Sequence, residues 1–356
     1  MYLVYGFRFE VLIARNEESG AIIGGAGLIH FGNRLFRICT SPVCPIVDID
    51  YEDAAGLIVN AVVERARSVG AFLLQLHFPC TAERELPALL PACWLPKLPD
   101  SQAGIAFTFG RSHSEMLWIE FPQEMDHNGW REHMLRRFGR YHRKKIKLAE
   151  RDGLEVFEAS TEAQLRQAHS VIEENARIQG YSVQSWKAIG RTLIEQVRTG
   201  QAIMLVARYE GQDIGAHYGV LAGKRYTYAL GGTLRTDRNL NAGHFLQWAA
   251  MNKARELALA GLDLTNRTNP GITNFKMGFH PECIPLIEPR YIVFSDSRYR
   301  LYRQVYPWLR RHVPLVSALL RSAHGTFNGS TVALDCFLGL VSLCGALNLS
   351  TDILLS

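Results

Sequence analysis

Apolar and polar positions along residues 9–78 follow an order that returns in residues 201–269. Each copy opens with a short apolar run, at 11–15 and at 204–208, and continues into a polar turn. Two further runs rich in β-branched and aromatic residues follow, which predicts strands. A stretch with helical spacing and one more buried run complete each copy. The pattern therefore predicts three strands, a helix and a fourth strand, twice.

The spacing of the two copies is almost constant. Three glycines recur 191 positions later, Gly24 as Gly215, Gly32 as Gly223 and Gly70 as Gly261. Independent use of a common hairpin-and-helix unit is the alternative interpretation. The constant spacing favours a duplicated domain, so we expect a mixed α+β fold built from two tandem domains.

Two helices are predicted from apolar spacing, at about 53–69 and 243–259. Gly70 and Gly261 follow them, and glycine is favoured in the left-handed position just past a helix end. We therefore expect each of these glycines to terminate its helix.

The length of 356 residues suits two domains, each able to bury its own core. We expect a first domain at 1–128, a second at 129–297, and a third segment at 298–356. Seven cysteines include no Cys-x-x-Cys pair, and no histidine cluster has metal-ligand spacing, so no metal site is expected. The N-terminus shows no secretion signal. These features favour a cytoplasmic protein.

Positive charge is concentrated in residues 131–151. The segment holds nine Lys or Arg residues and two Glu, a net of +7, whereas the whole chain carries +5. Its apolar positions indicate a helix. A solvated connecting helix is one interpretation. The other is a contact for a polyanion such as a nucleotide diphosphate, the acceptor end of a tRNA or anionic lipid. Arg140, Arg143 and Lys144 are the candidate binding residues, since Arg donates two hydrogen bonds to phosphate at once.

A lysine between two aromatic residues follows the second copy. Residues 261–264 read as a buried strand, a polar loop comes next, and Lys276 then lies between Phe275 and Phe279. This spacing predicts an ammonium group in a partly apolar site at the C-terminal end of a strand. Such a group can hold the carboxylate or phosphate of a ligand. A surface lysine between two core aromatics is the alternative.

These features together resemble the Fem-type transferases, the FemA, FemB and FemX proteins and the wider FemAB-like acetyltransferases. The resemblance covers roughly residues 8–295 and rests on the double copy, the basic segment 144–156, the strand 224–229 and the Phe275-Lys276 pair. It implies two tandem domains of the GNAT acyltransferase fold, each a mostly antiparallel sheet with flanking helices. It also implies transfer of an acyl or aminoacyl group to an amine, as in relatives that modify a peptidoglycan precursor.

The resemblance also implies roles for single residues. Lys276 and Tyr228 match catalytic positions of the family, where a cation and a hydroxyl donor stabilise the ligand and the developing oxyanion. Phe275 is expected to bind substrate with Lys276. Trp186 falls near an aromatic residue that lines the precursor site, on an alignment that needs a gap.

The chain departs from the family in three places. It starts almost at the first strand, where relatives carry a leading segment. Residues 76–79 hold no carboxylate where precursor-binding relatives have one, and 263–266 read Asp-Leu-Thr-Asn instead of Asp-x-Gly-Gly. The departures weaken the case for a peptidoglycan precursor and leave a small-molecule or lipid-linked amine as the expected acceptor.

The acyl donor is expected to be a co-substrate, with no tightly bound cofactor. GNAT enzymes bind the coenzyme pyrophosphate with a Gly-rich turn that opens a helix. The equivalent turn holds Arg238 and Gly243 but has Asn241 where the first glycine belongs. Asn tolerates positive φ better than most residues, so the turn can still form. On this weak coenzyme signal, aminoacyl-tRNA is slightly favoured over acyl-CoA, which makes tRNA a candidate partner.

The end of the chain mixes aromatic and basic residues over 297–321, and an apolar run follows at 332–349, interrupted by Asp335. The basic segment is expected to dock on the first domain or to lie on an anionic membrane at its inner face. Three functions therefore remain open. They are acyl or aminoacyl transfer by direct attack of an amine, an acyl-CoA-dependent N-acetyltransferase, and a non-catalytic polyanion-binding module with a vestigial groove.

Overall fold

The structure of the protein is a computed structural model that describes residues 8–32, 36–51, 53–78, 115–181, 183–235, 239–267, 270–287 and 289–304. The described residues divide into two compact units. One unit takes the residues before 79 and those after 285, and the other takes 115–285.

The first unit is a sheet with a 15-residue helix packed on it. Its elements are β1 (Arg8–Arg15), β2 (Ile22–Phe31), β3 (Ile38–Ser41), β4 (Ile46–Val47), α1 (Ala54–Ser68), β5 (Leu73–Leu76) and β13 (Arg290–Val293). The strand order is β1-β2-β3-β5-β13, with β4 beside β2. Buried positions Ile58, Val62 and Ala66 recur every four residues, so one face of α1 packs on Leu28 and Leu74.

The second unit is a larger sheet with helices on both faces. Its elements are β6 (Glu115–Glu120), α2 (His127–Arg137), α3 (Arg140–Arg151), β7 (Glu155–Glu158), α4 (Glu162–Gln179), α5 (Trp186–Arg198), β8 (Ala202–Tyr209), β9 (Gln212–Ala222), β10 (Arg225–Thr233), α6 (Ala242–Glu256), β11 (Gly261–Asp263), α7 (Pro270–Met277) and β12 (Glu282–Pro285). The strand order is β12-β6-β11-β10-β9-β8-β7.

Alternation along β8 explains the two layers of helices. Met204 and Val206 join a core with α4 and α5, whereas Ile203 and Leu205 join a core with α2, α3 and α6. Successive side chains of a strand point to opposite faces, so an unbroken apolar run requires cover on both faces.

The predicted duplication is confirmed. β1-β2-β3-α1-β5 in the first unit corresponds to β8-β9-β10-α6-β11 in the second. In both units the third and fourth of these strands run parallel, β3 with β5 and β10 with β11, and the other neighbours named here run antiparallel. The predicted α+β fold with mostly antiparallel sheets is therefore confirmed.

The boundaries of the two units differ from the predicted boundaries at residues 128 and 297. Strand β6 pairs with β11 and β12, so it belongs to the second sheet. Strand β13 pairs with β5 and returns to the first sheet. Pairing between distant strands sets these limits, and no local pattern reports it. Most of the predicted third segment lies outside the described residues, but Tyr302 in its described start packs on Phe72 at 5.4 Å between ring centroids.

Two local predictions need correction. Gly70 ends α1 with a φ of 77°, as predicted, but Gly261 lies inside β11, where a Cβ would meet the carbonyl oxygen of Ile119. Gly261 therefore permits the close approach of β6. The basic segment is also not one helix, because the extended backbone of Phe138 separates α2 from α3.

Candidate functional site

Strands β10 and β11 part in the middle of the second sheet. They pair only from Arg225 with Gly261 to Thr227 with Asp263. β11 then ends, while β10 continues to Thr233 and pairs with β9 alone among the described strands. A bulge between Tyr228 and Leu230 marks the parting. The backbone of β10 beyond Tyr228 thus offers an open edge to an extended ligand.

Tyr228, a predicted catalytic residue, lies at this parting. Its ring packs on His217 at 4.7 Å, and its hydroxyl lies over Gly231, where a Cβ would be only 2.5 Å away. The hydroxyl has no hydrogen-bond partner among the described residues. Burial, and to a lesser degree the nearby Tyr181, raise the pKa of Tyr228, so its phenol stays neutral and can donate a hydrogen bond.

The turn that opens α6 has the predicted form. Asn241 adopts the left-handed conformation with a φ of 58°, and its own N–H donates to Oδ1 of Asn239 at 3.1 Å. The N–H groups of Ala242 and Gly243 donate to no described residue. A Cβ on Gly243 would lie 3.8 Å from Cγ2 of Thr233. The free N–H groups therefore lie at the far end of the open edge, where a helix N-terminus attracts an anion. Arg238, the third predicted cofactor residue, lies outside the described residues.

The N-terminal turn of α3 meets the N-terminal turn of α6. The rings of His142 and His244 are 4.7 Å apart, and Nε2 of His142 donates to the carbonyl oxygen of Phe275 at 2.8 Å. Phe275 in turn packs on His244 at 5.0 Å. Burial, with smaller effects of His142 and Lys145, lowers the pKa of His244 to about 4, so His244 is neutral.

The predicted cations of α3 stand at its N-terminal end. Arg140 and Lys144 are exposed and Arg143 is half-buried. None of the three forms an ion pair with a carboxylate in the part of the chain that the structure describes. Cations near a helix N-terminus oppose the helix dipole, so an ordinary surface would pair them or place them elsewhere. Together with the free N–H groups of α6, they form a surface suited to phosphate.

Lys276 is buried and held inside the protein. It lies on α7 and not directly at a strand end, but its Nζ donates to Oγ1 of Thr265 at 3.0 Å and to the carbonyl oxygen of Asn266 at 2.8 Å. Both partners follow β11, so the ammonium lies against the loop after that strand. Burial lowers its pKa to about 8, against the opposite effect of Asp263 and Glu115. Two of its three N–H groups thus fix the loop at the parting. Its contact with an anionic ligand stays a prediction.

Trp186 packs in the apolar core that α4 and α5 form on the sheet. It begins α5, its ring lies 5.6 Å from that of His169, and a Cβ on Gly190 would collide with it. Its predicted role in substrate binding stays a prediction.

Two residues near Tyr228 gave no signal in the sequence. The side chain of Asn175 lies against Gly232, and its Nδ2 donates to the hydroxyl of Tyr181 at 2.7 Å. Both residues come from the α4 end of the unit, and only the packing of α4 on β10 brings them to the open edge. No spacing along the chain could have indicated them.

The described residues include no group of three or more His, Cys, Asp or Glu side chains that could hold a metal ion. Within the same residues, no helix is long and apolar enough to cross a membrane.

Comparison with known proteins places these features in one fold. Residues 136–277 match the family model described as an acetyltransferase (GNAT) domain, a range that includes β10, β11, α6 and Lys276. The crystal structure of FemX matches with a TM-score of 0.67 and 14% identity, over 83% of this chain and 90% of that one. The chain has the tandem GNAT fold. The resemblance to the Fem-type transferases is confirmed at the level of the fold, and the match to the acetyltransferase (GNAT) domain lies within the second unit.

Two further structures share less of the geometry. A conserved protein of unknown function from Bacteroides thetaiotaomicron VPI-5482 matches with a TM-score of 0.50 and 12% identity, over 81% of this chain and 86% of that one. L-PGS from Bacillus licheniformis matches with a TM-score of 0.48 and 11% identity, over 82% and 84%. None of the curated proteins compared matches the sequence of the chain.

Proposed function

We propose that the second GNAT unit transfers an activated acyl group to an amine, with the acyl donor bound along the open edge of β10. The parting of β10 from β11, with free N–H groups of α6 at its far end, is the observation that carries the proposal. The match of residues 136–277 to the acetyltransferase domain supports it.

The reaction needs no covalent intermediate on the protein. The amine attacks the acyl carbon, a C–N bond forms, and the bond to the leaving oxygen or sulfur breaks as the amine loses its proton. His217 and His244 are neutral, since burial lowers the pKa of His217 to about 3 and that of His244 to about 4. Neither has a nucleophilic partner among the described residues. The protein therefore contributes position and hydrogen bonds, with Tyr228 as an uncharged donor at the reacting centre.

A donor that carries phosphate is supported by the meeting of α3 and α6. Asn241 adopts the left-handed conformation, so the turn forms without the expected glycine. The missing glycine is therefore no argument against acyl-CoA. We therefore favour acyl-CoA. Aminoacyl-tRNA is the second candidate, favoured by the exposed Arg140 and Lys144, which form no ion pair with a described carboxylate.

The acceptor is proposed from the resemblance to be an amine of a cell-envelope precursor, either a small molecule or lipid-linked. A lipid-linked acceptor would bring the protein to the inner face of the membrane, where the same cations meet anionic lipid.

The test is turnover by the purified protein with acyl-CoA or charged tRNA, a panel of amines, and product detection by mass spectrometry. Arg140→Gln with Lys144→Gln is expected to raise the donor KM about ten-fold at low salt, with kcat within about two-fold, because remote charges bind donor and transition state alike. The exposed Arg166→Gln on α4 is the matched control and should change neither constant. No product from either donor, with tight and salt-dependent binding of RNA or anionic vesicles, would support the polyanion-binding module instead.

A further inference from the structure

A pair of glycines on the open edge of β10 has a polar side chain against each face. Gly231 lies under the hydroxyl of Tyr228, and a Cβ there would be 2.5 Å from that oxygen. Gly232 faces the other way, and a Cβ there would be 2.9 Å from Cβ of Asn175. Since side chains alternate along a strand, the two neighbours approach the same dipeptide from opposite faces. Any larger residue would fill the space between them.

Asn175 orients a second tyrosine on its side of the strand. Its Nδ2 donates to the hydroxyl oxygen of Tyr181 at 2.7 Å and occupies one lone pair of that oxygen. The hydroxyl proton of Tyr181 is then free, because no described residue accepts it. Burial raises the pKa of Tyr181, against the hydrogen bond from Asn175, so the phenol is neutral at physiological pH. Tyr181 also contributes, less than burial does, to the raised pKa of Tyr228.

Two neutral hydroxyl groups without described acceptors therefore flank the glycine pair. The Tyr228 hydroxyl lies over Gly231, and the Tyr181 hydroxyl is bound by the Asn175 side chain that contacts Gly232. We propose that Tyr181 and Tyr228 form the oxyanion hole of this unit, one from each face of β10, with Asn175 as the positioning residue of Tyr181. The inference rests on the proposed acyl transfer and names the groups that stabilise its intermediate.

The chemistry balances without a further reactant. As the amine attacks, the C=O electron pair moves onto the carbonyl oxygen, which lies beside Gly231 and Gly232 at the open edge of β10. Both phenols donate hydrogen bonds to this oxygen and keep their protons. When the pair returns, the bond to the leaving sulfur or oxygen breaks, that atom takes up the proton lost by the amine, and the hydroxyls are unchanged. Donors held in place before charge develops are worth more than flexible ones in water.

The expected effect of the hole is on kcat. Tyr181→Phe and Tyr228→Phe should each lower kcat about 100-fold, with both KM values within about two-fold, since the hydrogen bonds strengthen only in the transition state. Asn175→Ala keeps both hydroxyls and should lower kcat about ten-fold by releasing Tyr181. Tyr218→Phe is the matched control, because its hydroxyl donates to Oε1 of Gln196 in the α5 layer at 2.5 Å and should leave kcat within about two-fold.

Steady-state kinetics on the full chain, with thermal unfolding of each variant, separates the outcomes. If the wild type turns over and Tyr181→Phe has an unchanged kcat, the two-tyrosine hole is overturned but acyl transfer is not. The same conclusion follows if the variant changes only KM, or if Tyr218→Phe loses as much kcat as Tyr181→Phe. If Tyr181→Phe fails to fold, Asn175→Ala decides, and an unchanged kcat in that variant overturns the proposal. Absence of wild-type turnover with any donor overturns the proposed function and the hole with it.

Discussion

The side chain of Lys276 is buried, and burial disfavours the charged form of its amine. Only 4% of the residue is exposed, yet two hydrogen bonds hold its amine against the loop after β11. The pKa of about 8 means that the folded protein binds this proton less tightly than the unfolded chain does. Burying this charged amine therefore lowers the stability of the fold, while its two hydrogen bonds hold the loop after β11 in place.

Replacing the amine should change how stability depends on pH. The folded pKa of about 8 is lower than the usual 10.5, so the stability contribution of Lys276 is present above pH 10.5 and is lost as the pH falls through 8. From pH 7 to 9.5, the free energy of unfolding of the wild type should rise relative to Lys276→Met by about 2 kcal/mol. Urea unfolding of both proteins measures this difference. Parallel pH profiles would show that the amine is not buried.

Single residues differ in how far the sequence could indicate them. The aromatic neighbours of Lys276 indicated a partly apolar site, and the type of residue at 241 indicated its left-handed backbone. The partners Thr265 and Asn266 depend on a loop conformation that no periodicity encodes. Tyr181 and Asn175 could not be found at all, because a tertiary contact of α4 brings them to β10.

Among the elements, the turn before α6 determines whether the donor can bind. Its free N–H groups point to one end of the open edge only while Asn241 stays left-handed. Helices α1 and α6 were predictable from their apolar spacing. The open edge was not, since the end of β11 and the continuation of β10 follow from pairing in three dimensions. The division of the basic segment into α2 and α3 likewise depends on packing around Phe138, which is 2% exposed.

The turn can be tested by stability alone. Asn241→Gly should be more stable than Asn241→Ala by about 1 kcal/mol, because a φ of 58° strains a residue with a Cβ, whereas both variants lose the bond from Nδ2 to Asn239. Urea unfolding of the two variants gives the comparison. An alanine variant as stable as the glycine variant would mean that this turn is not left-handed in solution.

The whole molecule is divided by strand pairing and not by the order of the chain. β6 lies between β12 and β11 in the second sheet, and β13 completes the first sheet. Duplication in the sequence indicated two domains because the copies share a topology. It could not place these two strands, which lie outside the repeated region.

A fragment of residues 115–285 is expected to fold by itself, because it contains every described strand of the second sheet. A fragment of residues 129–297 lacks β6, which would leave β11 and β12 without the strand between them. Circular dichroism and urea unfolding should therefore show one cooperative transition for the first fragment and none for the second. Equal behaviour of the two fragments would contradict the division at 115.

The most direct test of the account is a crystal structure with an unreactive analogue of the donor that supports turnover. For acyl-CoA, we expect pyrophosphate oxygens about 3 Å from the N–H groups of Ala242 and Gly243, and the acyl carbonyl oxygen beside Gly231. An analogue bound away from the open edge of β10, with that edge empty, would contradict the central claim.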